Sequence, residues 1–124
     1  MLFRSAYVNA GHNPPVLFDP ADATLRYLGE GGAVLGFVEG LPYRSATLTM
    51  RSGEVLVLYT DGVVEAQDVA ENMYGEARLI DEIKASAGCD AEGVVGRILR
   101  SVAEFSAGAP QYDDTTVVVV KVAQ

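Results

Sequence analysis

Apolar residues in the first half of the chain fall into short runs, separated by residues that are typical of turns. Runs of this length that are rich in β-branched and aromatic residues predict strands. The predicted strands are Phe3–Val8, Val16–Phe18, Thr24–Leu28, Ala46–Met50 and Val55–Tyr59. The intervening Asp19–Asp22 and Arg51–Glu54 segments predict two hairpins, whereas the glycine-rich Gly29–Gly40 segment predicts a long loop.

The second half of the chain changes to a helical period. A first helix is predicted to start near Glu76 and to stop at Gly88, and its apolar face is formed by Leu79, Ile80, Ile83 and Ala87. A second helix is predicted to begin with Asp90 as its N-cap and to end at Gly108. Its apolar stripe consists of Val94, Val95, Ile98, Leu99, Val102 and Phe105. A last strand, Thr116–Val122, follows.

Short connections between consecutive strands indicate antiparallel pairing, and the two helices would cover the resulting sheet. The sequence therefore predicts a layered α+β domain. A chain of 124 residues is long enough for one domain with a hydrophobic core. No internal repeat or linker indicates a second domain.

The composition restricts where in the cell the protein can be expected and which classes of partner it can bind. No apolar run approaches the ~18–20 residues of a membrane span, and no amino-terminal stretch has the pattern of a secretion signal. The single cysteine, Cys89, excludes an internal disulfide and suits a reducing cytoplasm. The net charge of −8 argues against nucleic acid as a partner, because phosphate binding needs clustered Lys and Arg. With His12 as the single histidine, a zinc finger is excluded as well.

One apolar run is followed by an aspartate and another is preceded by two, and these aspartates could meet in the folded chain. The first run ends at Asp61 and Gly62, and Asp113 and Asp114 precede the run Val117–Val120. Such runs predict strands that are buried on both faces, so the aspartates at their ends can share one edge of the core. Clustered carboxylates favour a hard divalent cation with oxygen ligands. The simpler alternatives are an Asp-Gly turn at Asp61, and hydrogen bonds from nearby backbone amides to Asp113 or Asp114.

Three motifs along the chain carry a resemblance to a known family. Asn9–Pro15 (Asn-Ala-Gly-His-Asn-Pro-Pro), the tract Leu58–Ala66 and the segment Asp113–Thr116 together resemble the PPM family of metal-dependent serine/threonine protein phosphatases. Within that family the chain is similar to the bacterial branch of sporulation and stress-response phosphatases (SpoIIE/RsbU-like). The resemblance implies an α-β-β-α sandwich, in which two stacked antiparallel sheets lie between pairs of helices. The chain matches its carboxy-terminal part, with the amino-terminal part of the fold missing.

The resemblance also implies a catalytic site. Asp61 and Asp113 match metal ligands of the family, and Gly62 and Asp114 lie beside those ligands. Gly62 is expected to let the backbone turn sharply just after Asp61. Oxygen ligands favour Mn²⁺ or Mg²⁺, and two such ions hold the attacking water in the complete family site. The implied substrate is a phosphoserine or phosphothreonine on a protein, which in this branch is often an anti-sigma-factor antagonist.

Gly11 and His12 belong to the conspicuous turn of the first motif. They are candidates for contact with the substrate, but a lone histidine in a proline-flanked turn is more often a structural hydrogen-bonding residue. Both interpretations stay open at the level of sequence.

One part of the family pattern has no counterpart in this chain. Complete domains carry an earlier Gly-Asp motif upstream of the position of Tyr7, and its Asp bridges the two metals. Residues 1–124 are therefore expected to be a partial domain: an expressed fragment, a truncated product or a natural short relative. An upstream sensor domain and self-association through exposed sheet edges are also expected. The alternative function is a pseudophosphatase that binds proteins in bacterial signalling without catalysis.

Overall fold

The computed structural model describes residues 2–123, which form eight strands and three helices. The strands are β1 (Leu2–Tyr7), β2 (Asn9–Ala10), β3 (Val16–Asp19), β4 (Thr24–Tyr27), β5 (Gly31–Gly32), β6 (Ala46–Arg51), β7 (Val55–Tyr59) and β8 (Val117–Lys121). The helices are α1 (Asp61–Val64), α2 (Gly75–Ala85) and α3 (Ala91–Phe105).

The centre of the molecule is a four-stranded antiparallel sheet with the strand order β4-β3-β7-β8. The hairpin of β3 and β4 follows the sequence prediction, with Val16 opposite Tyr27. Strand β7 lies between β3 and β8, and its register with β8 pairs Tyr59 with Val117. The end of β7 and the beginning of β8 therefore lie at the same end of the sheet. This places the two aspartate segments next to each other.

Helices α2 and α3 cover one face of the central sheet. Their side chains Leu79, Ile83 and Ile98 are fully buried and belong to one core cluster with residues of β3 and β7. The predicted cap of α3 is present, since the Asp90 side chain accepts a hydrogen bond from the Gly93 backbone N–H at 2.8 Å. The first turn of α3 is thereby fixed by a residue that the sequence had already indicated.

A second sheet covers the opposite face of the central sheet. It consists of β1 and β6, paired antiparallel, with Phe3 opposite Met50. A separate core cluster fills part of the space between the two sheets and is formed by Leu17, Leu28, Leu48, Met50 and Val122. The described residues thus form three layers, helix on sheet on sheet, in agreement with the predicted α+β class and with a partial sandwich.

The predicted hairpin of the strands around Arg51–Glu54 is wrong. Strand β6 pairs with β1, whereas β7 pairs with β3 and β8, so this turn carries the chain from one sheet to the other. Glu54 is only 6% exposed, and its carboxylate accepts a hydrogen bond from the Arg51 backbone N–H at 2.6 Å, which closes the turn. A tight turn between two apolar strands has the same residues whether the strands pair or stack.

Other predicted boundaries also need correction. The Gly29–Gly40 loop contains the short strand β5, which pairs parallel with β2 and therefore departs from a purely antiparallel fold. A Cβ atom at Gly31 would lie 1.7 Å from the Asn9 carbonyl oxygen, so only glycine allows this pairing. Helix α2 ends at Ala85, before the predicted stop at Gly88, and the single-turn helix α1 was not predicted.

The sequence predicted that β7 and β8 are buried on both faces. In the structure, part of one face of each strand is exposed. Leu58 and Val118 lie opposite each other on β7 and β8 and are 37% and 49% exposed. Both line an open cleft between the two sheets.

Among residues 2–123, no helix has the length and apolar character that crossing a membrane requires.

Candidate active site

Asp61, Asp113 and Asp114 line one cleft of about 490 Å³ at the edge of the central sheet. Asp61 is the first residue of α1, directly beyond β7, and the other two aspartates precede β8. All three are exposed to solvent. The structure therefore brings together the two carboxylate segments that lie about fifty residues apart in the sequence.

Hydrogen bonds hold these two segments side by side. The Thr60 backbone N–H donates to the Thr116 carbonyl oxygen at 3.1 Å. The Thr60 hydroxyl accepts from the Thr116 backbone N–H at 3.1 Å and donates to the Asp114 carbonyl oxygen at 3.2 Å. Thr60, which the sequence analysis did not single out, thus fixes the spacing of the aspartates through a tertiary contact that has no local sequence signal.

Gly62 serves a different purpose from the one predicted. It lies inside α1 and is absent from the glycines with positive φ, so no sharp left-handed turn follows Asp61. A Cβ atom at this position would lie 2.0 Å from the Asp114 carbonyl oxygen. The absence of a side chain therefore lets the two segments approach each other closely, and the glycine is required by packing instead of backbone conformation.

Asn13 contacts Asp61 directly. Its side-chain amide donates a hydrogen bond of 2.6 Å to Asp61 Oδ1. This bond fixes the orientation of the carboxylate and leaves Oδ2 for another partner. Sequence reasoning singled out Gly11 and His12 and missed Asn13, although the polar amide beside two prolines was part of the recognised motif.

The turn before Asn13 is held by reciprocal hydrogen bonds. The Asn9 side chain accepts from the His12 backbone N–H at 2.8 Å and donates to the His12 carbonyl oxygen at 3.0 Å. Gly11 has a φ of 84°, and a Cβ atom there would lie 2.4 Å from Cγ2 of Val34. His12 lies on the wall of the cleft, and within residues 2–123 only its backbone forms hydrogen bonds. The two hydrogen bonds of Asn9 therefore stabilise the turn that places Asn13 next to Asp61.

The second carboxylate segment is also ordered locally. Asp113 Oδ1 accepts a hydrogen bond from the Asp114 backbone N–H at 2.7 Å, and the Asp113 carbonyl oxygen accepts from the Gln111 side-chain amide at 2.9 Å. This is the backbone contact that was the simpler alternative for Asp113. It engages one oxygen, so the other remains available to a ligand in the cleft.

Tyr59, the last residue of β7, forms part of the floor of the cleft. Burial raises the pKa of Tyr59 to about 12, with smaller contributions from the negative charges of Glu76 and Asp61 and from Tyr27. The phenol is neutral at physiological pH, as a tyrosine with an ordinary pKa would also be, and adds no negative charge to the cleft.

The chemistry of the donors fits part of a site for a hard divalent cation. Carboxylate oxygens of Asp61 and Asp113 face one cleft, and no thiol lines it. Within residues 2–123, however, no group of three or more His, Cys, Asp and Glu side chains is close enough to hold a metal ion. Asp61 and Asp113 would therefore form only part of a ligand set for such an ion.

Comparison with known proteins decides the family. A model of the stage II sporulation protein E (SpoIIE) family matches residues 3–123, almost the whole chain. The chain belongs to the SpoIIE family. The cleft with Asp61 and Asp113 is therefore part of a SpoIIE family domain.

Two curated proteins illustrate this relationship. Protein IcfG of Synechocystis is 29% identical to this SpoIIE family chain over 115 residues, which cover 93% of the chain and 18% of IcfG. The phosphoserine phosphatase RsbU of Bacillus subtilis is 29% identical over 119 residues, which cover 93% of the chain and 34% of RsbU. The chain thus spans about a third or less of the length of these relatives.

A solved structure shows the same fold. The SiaA-PP2C domain of Pseudomonas aeruginosa superposes on 95% of this SpoIIE family chain with a TM-score of 0.76, at 21% sequence identity. The match covers 46% of the SiaA chain. The three layers described above therefore correspond to part of a PP2C fold, as the family resemblance implied.

Proposed function

We propose that residues 1–124 are the carboxy-terminal part of a metal-dependent phosphatase domain that hydrolyses phosphoserine or phosphothreonine in a regulatory protein. The observation that carries this proposal is the shared cleft of Asp61 and Asp113, at the adjoining ends of two paired strands. Membership of the SpoIIE family supports it, and one relative, RsbU, is named a phosphoserine phosphatase.

Each residue of the cleft has a role in this proposal. Asp61 and Asp113 hold one divalent ion, Mn²⁺ or Mg²⁺, through carboxylate oxygens. Asn13 fixes the orientation of Asp61 by its 2.6 Å hydrogen bond, and Asp114 keeps the Thr60 segment close through its carbonyl oxygen. A bound ion would lower the pKa of a water molecule and offset charge on the phosphoryl oxygens.

A second ion, which the family resemblance implies, would need carboxylates beyond those described. Within residues 2–123 the acidic groups do not form a complete ligand set. The proposed phosphatase site is therefore complete only with residues outside this chain, or with a partner molecule that supplies them.

The proposed substrate is an anti-sigma-factor antagonist, in keeping with the resemblance to stress-response phosphatases. The proposed compartment is the cytoplasm, because the chain's one cysteine, Cys89, is a free thiol and suits reducing conditions. An upstream sensor domain would connect the phosphatase to a signal.

The test measures hydrolysis of p-nitrophenyl phosphate and of a phosphoserine protein, with and without Mn²⁺. Two proteins are compared: the 124-residue chain, and the protein as it is isolated from its native cell, here called the cellular form. We expect Mn²⁺-dependent turnover by the cellular form, reduced at least about a hundredfold by Asp61→Asn and by Asp113→Asn, since each removes a charged ligand. Asp81→Asn, an exposed substitution on α2, is the matched control and should retain full turnover. Turnover that survives both site substitutions would disprove the assignment.

A second candidate function is a non-catalytic module that binds a phosphoprotein. The incomplete ligand set within the described residues favours this candidate. The same experiment separates the two, because the module would bind the phosphoprotein but show no Mn²⁺-dependent turnover in either form.

A further inference from the structure

A second cavity, of about 630 Å³, lies next to the candidate active site. Its walls are the segment that follows Gly62, the carboxy-terminal end of α3 and the segment that leads to Thr115. Asp113 lines both this cavity and the cleft that it shares with Asp61. The two spaces therefore adjoin at Asp113, so the cavity lies directly beside the cleft that contains Asp61.

The charged side chains that line this cavity are all acidic. They are Glu65, Glu71 and Asp113, and all three are exposed. No lysine or arginine contributes to the lining. Like charges around a concave surface focus a negative potential, which attracts a cationic ligand and repels an anionic one.

Large apolar side chains line the same cavity. Met73, Leu99 and Tyr112 are 54%, 41% and 75% exposed, respectively. Exposed apolar surface next to a cavity is a feature that a bound partner would cover.

The walls of the cavity are held by local hydrogen bonds. Asp68 Oδ1 accepts hydrogen bonds from the Ala70 and Asn72 backbone N–H groups, each at 2.9 Å. A hydrogen bond from the Asn72 side chain lowers the pKa of Asp68 most, and the backbone bonds lower it further. The Tyr74 backbone N–H donates to the Ala66 carbonyl oxygen at 2.7 Å. The wall that carries Glu71 is thus shaped before any ligand arrives, which reduces the ordering cost of binding.

We propose that this cavity binds the peptide segment beside the phosphorylated residue of a protein substrate, and that it selects segments with basic and apolar side chains. The inference rests on the proposed phosphatase function, since Asp113 lines both this cavity and the proposed site of phosphate hydrolysis. The acidic lining determines the preference for Lys or Arg, and the surface formed by Leu99 and Met73 accepts an apolar side chain. The same lining repels an acidic flanking segment and so weakens its binding.

The experiment measures the affinity of the cellular form of the protein for fluorescent phosphoserine peptides by anisotropy. One peptide has Lys, Arg and Leu around the phosphoserine, and the other has Glu and Asp at the same places. We expect the basic peptide to bind at least about tenfold more tightly, and Glu71→Lys to remove most of that difference. The matched control, Asp81→Lys, changes the net charge equally on α2 and should leave it within about twofold.

A second variant tests the apolar part of the cavity. Leu99→Ser shortens an exposed side chain of α3 and is expected to weaken binding of the basic peptide about fivefold, without altering the fold by circular dichroism. Equal effects of Glu71→Lys and Asp81→Lys, together with no effect of Leu99→Ser, would overturn the inference.

Turnover of p-nitrophenyl phosphate separates failure of this inference from failure of the proposed function. That substrate has no flanking peptide, so its turnover by the unmodified protein reports the phosphatase site without the cavity. Normal turnover by the unmodified protein, together with unchanged peptide selectivity in Glu71→Lys, would refute the role of the cavity alone. No turnover by the unmodified protein would refute the phosphatase proposal, while anisotropy would still decide whether the cavity selects basic peptides.

Discussion

At the scale of single residues, the candidate site depends on one glycine. Gly62 lies in α1 and is buried against the segment before β8, where a Cβ atom would lie 2.0 Å from the Asp114 carbonyl oxygen. Backbone atoms cannot rotate away as a side chain can. A methyl group at this position would therefore push apart the two segments that carry Asp61 and Asp113.

Gly62→Ala is expected to lower the free energy of unfolding by about 1–3 kcal/mol, the usual cost of overpacking. It should also reduce Mn²⁺-dependent phosphatase activity. Chemical denaturation monitored by circular dichroism gives the first quantity. Gly96→Ala is the matched control, since Gly96 lies in α3 with no atom within 4 Å of a built Cβ and alanine favours helices. Equal stability of the two variants would contradict the role given to Gly62.

Asn13 shows the limit of sequence reasoning at this scale. The meeting of Asp61 and Asp113 could be predicted, because each lies at the end of an apolar run and antiparallel neighbours bring such ends together. The bond from Asn13 to Asp61 could not, since it joins residues 48 positions apart through a turn clamped by Asn9. The motif includes His12, which has the more reactive side chain, but the residue that contacts the Asp61 carboxylate is Asn13.

At the scale of elements, hydrophobic periodicity predicted the major strands and helices well, but not their partners. The helices α2 and α3 were predicted from their apolar faces, and Asp90 caps α3 as expected. The connection between β6 and β7 was predicted wrongly as a hairpin. Both strands alternate in burial, and turn residues do not reveal whether the chain pairs the strands or carries them into stacked sheets.

Glu54 stabilises that connection and provides a test of it. Its carboxylate is buried and accepts a hydrogen bond from the Arg51 backbone N–H. Glu54→Ala leaves that donor without its partner, and we expect the free energy of unfolding to fall by about 1–3 kcal/mol. Thermal or urea unfolding measures this change. The exposed substitution Glu39→Ala should have no comparable effect, and a loss of similar size there would argue against a specific role for Glu54.

At the scale of the whole molecule, the space between the two sheets is only partly filled. A cleft of about 570 Å³ between them is lined mainly by apolar residues, among them Phe3, Leu58 and Val118. Strand β8 is the last strand of the central sheet within the described residues, so one side of it carries no neighbouring strand. Exposed apolar surface next to an unpaired strand edge favours association.

We expect the 124-residue chain to self-associate at micromolar concentrations, as measured by sedimentation velocity. Val118→Lys places a charge on the exposed face of β8 and should shift the population towards monomer. Val69→Lys is the control, because Val69 is 74% exposed and does not line this cleft. A chain that stays monomeric at all concentrations would contradict the prediction, as would equal effects of the two substitutions.

The central claim is that Asp61 and Asp113 together hold one divalent ion, and paramagnetic NMR tests it most directly. Substoichiometric Mn²⁺ broadens amide signals close to its binding site, even when the affinity is low. We predict selective broadening around residues 60–62 and 113–116, abolished by Asp61→Asn and by Asp113→Asn separately. Broadening spread over the acidic surface, or unchanged by either substitution, would contradict the account.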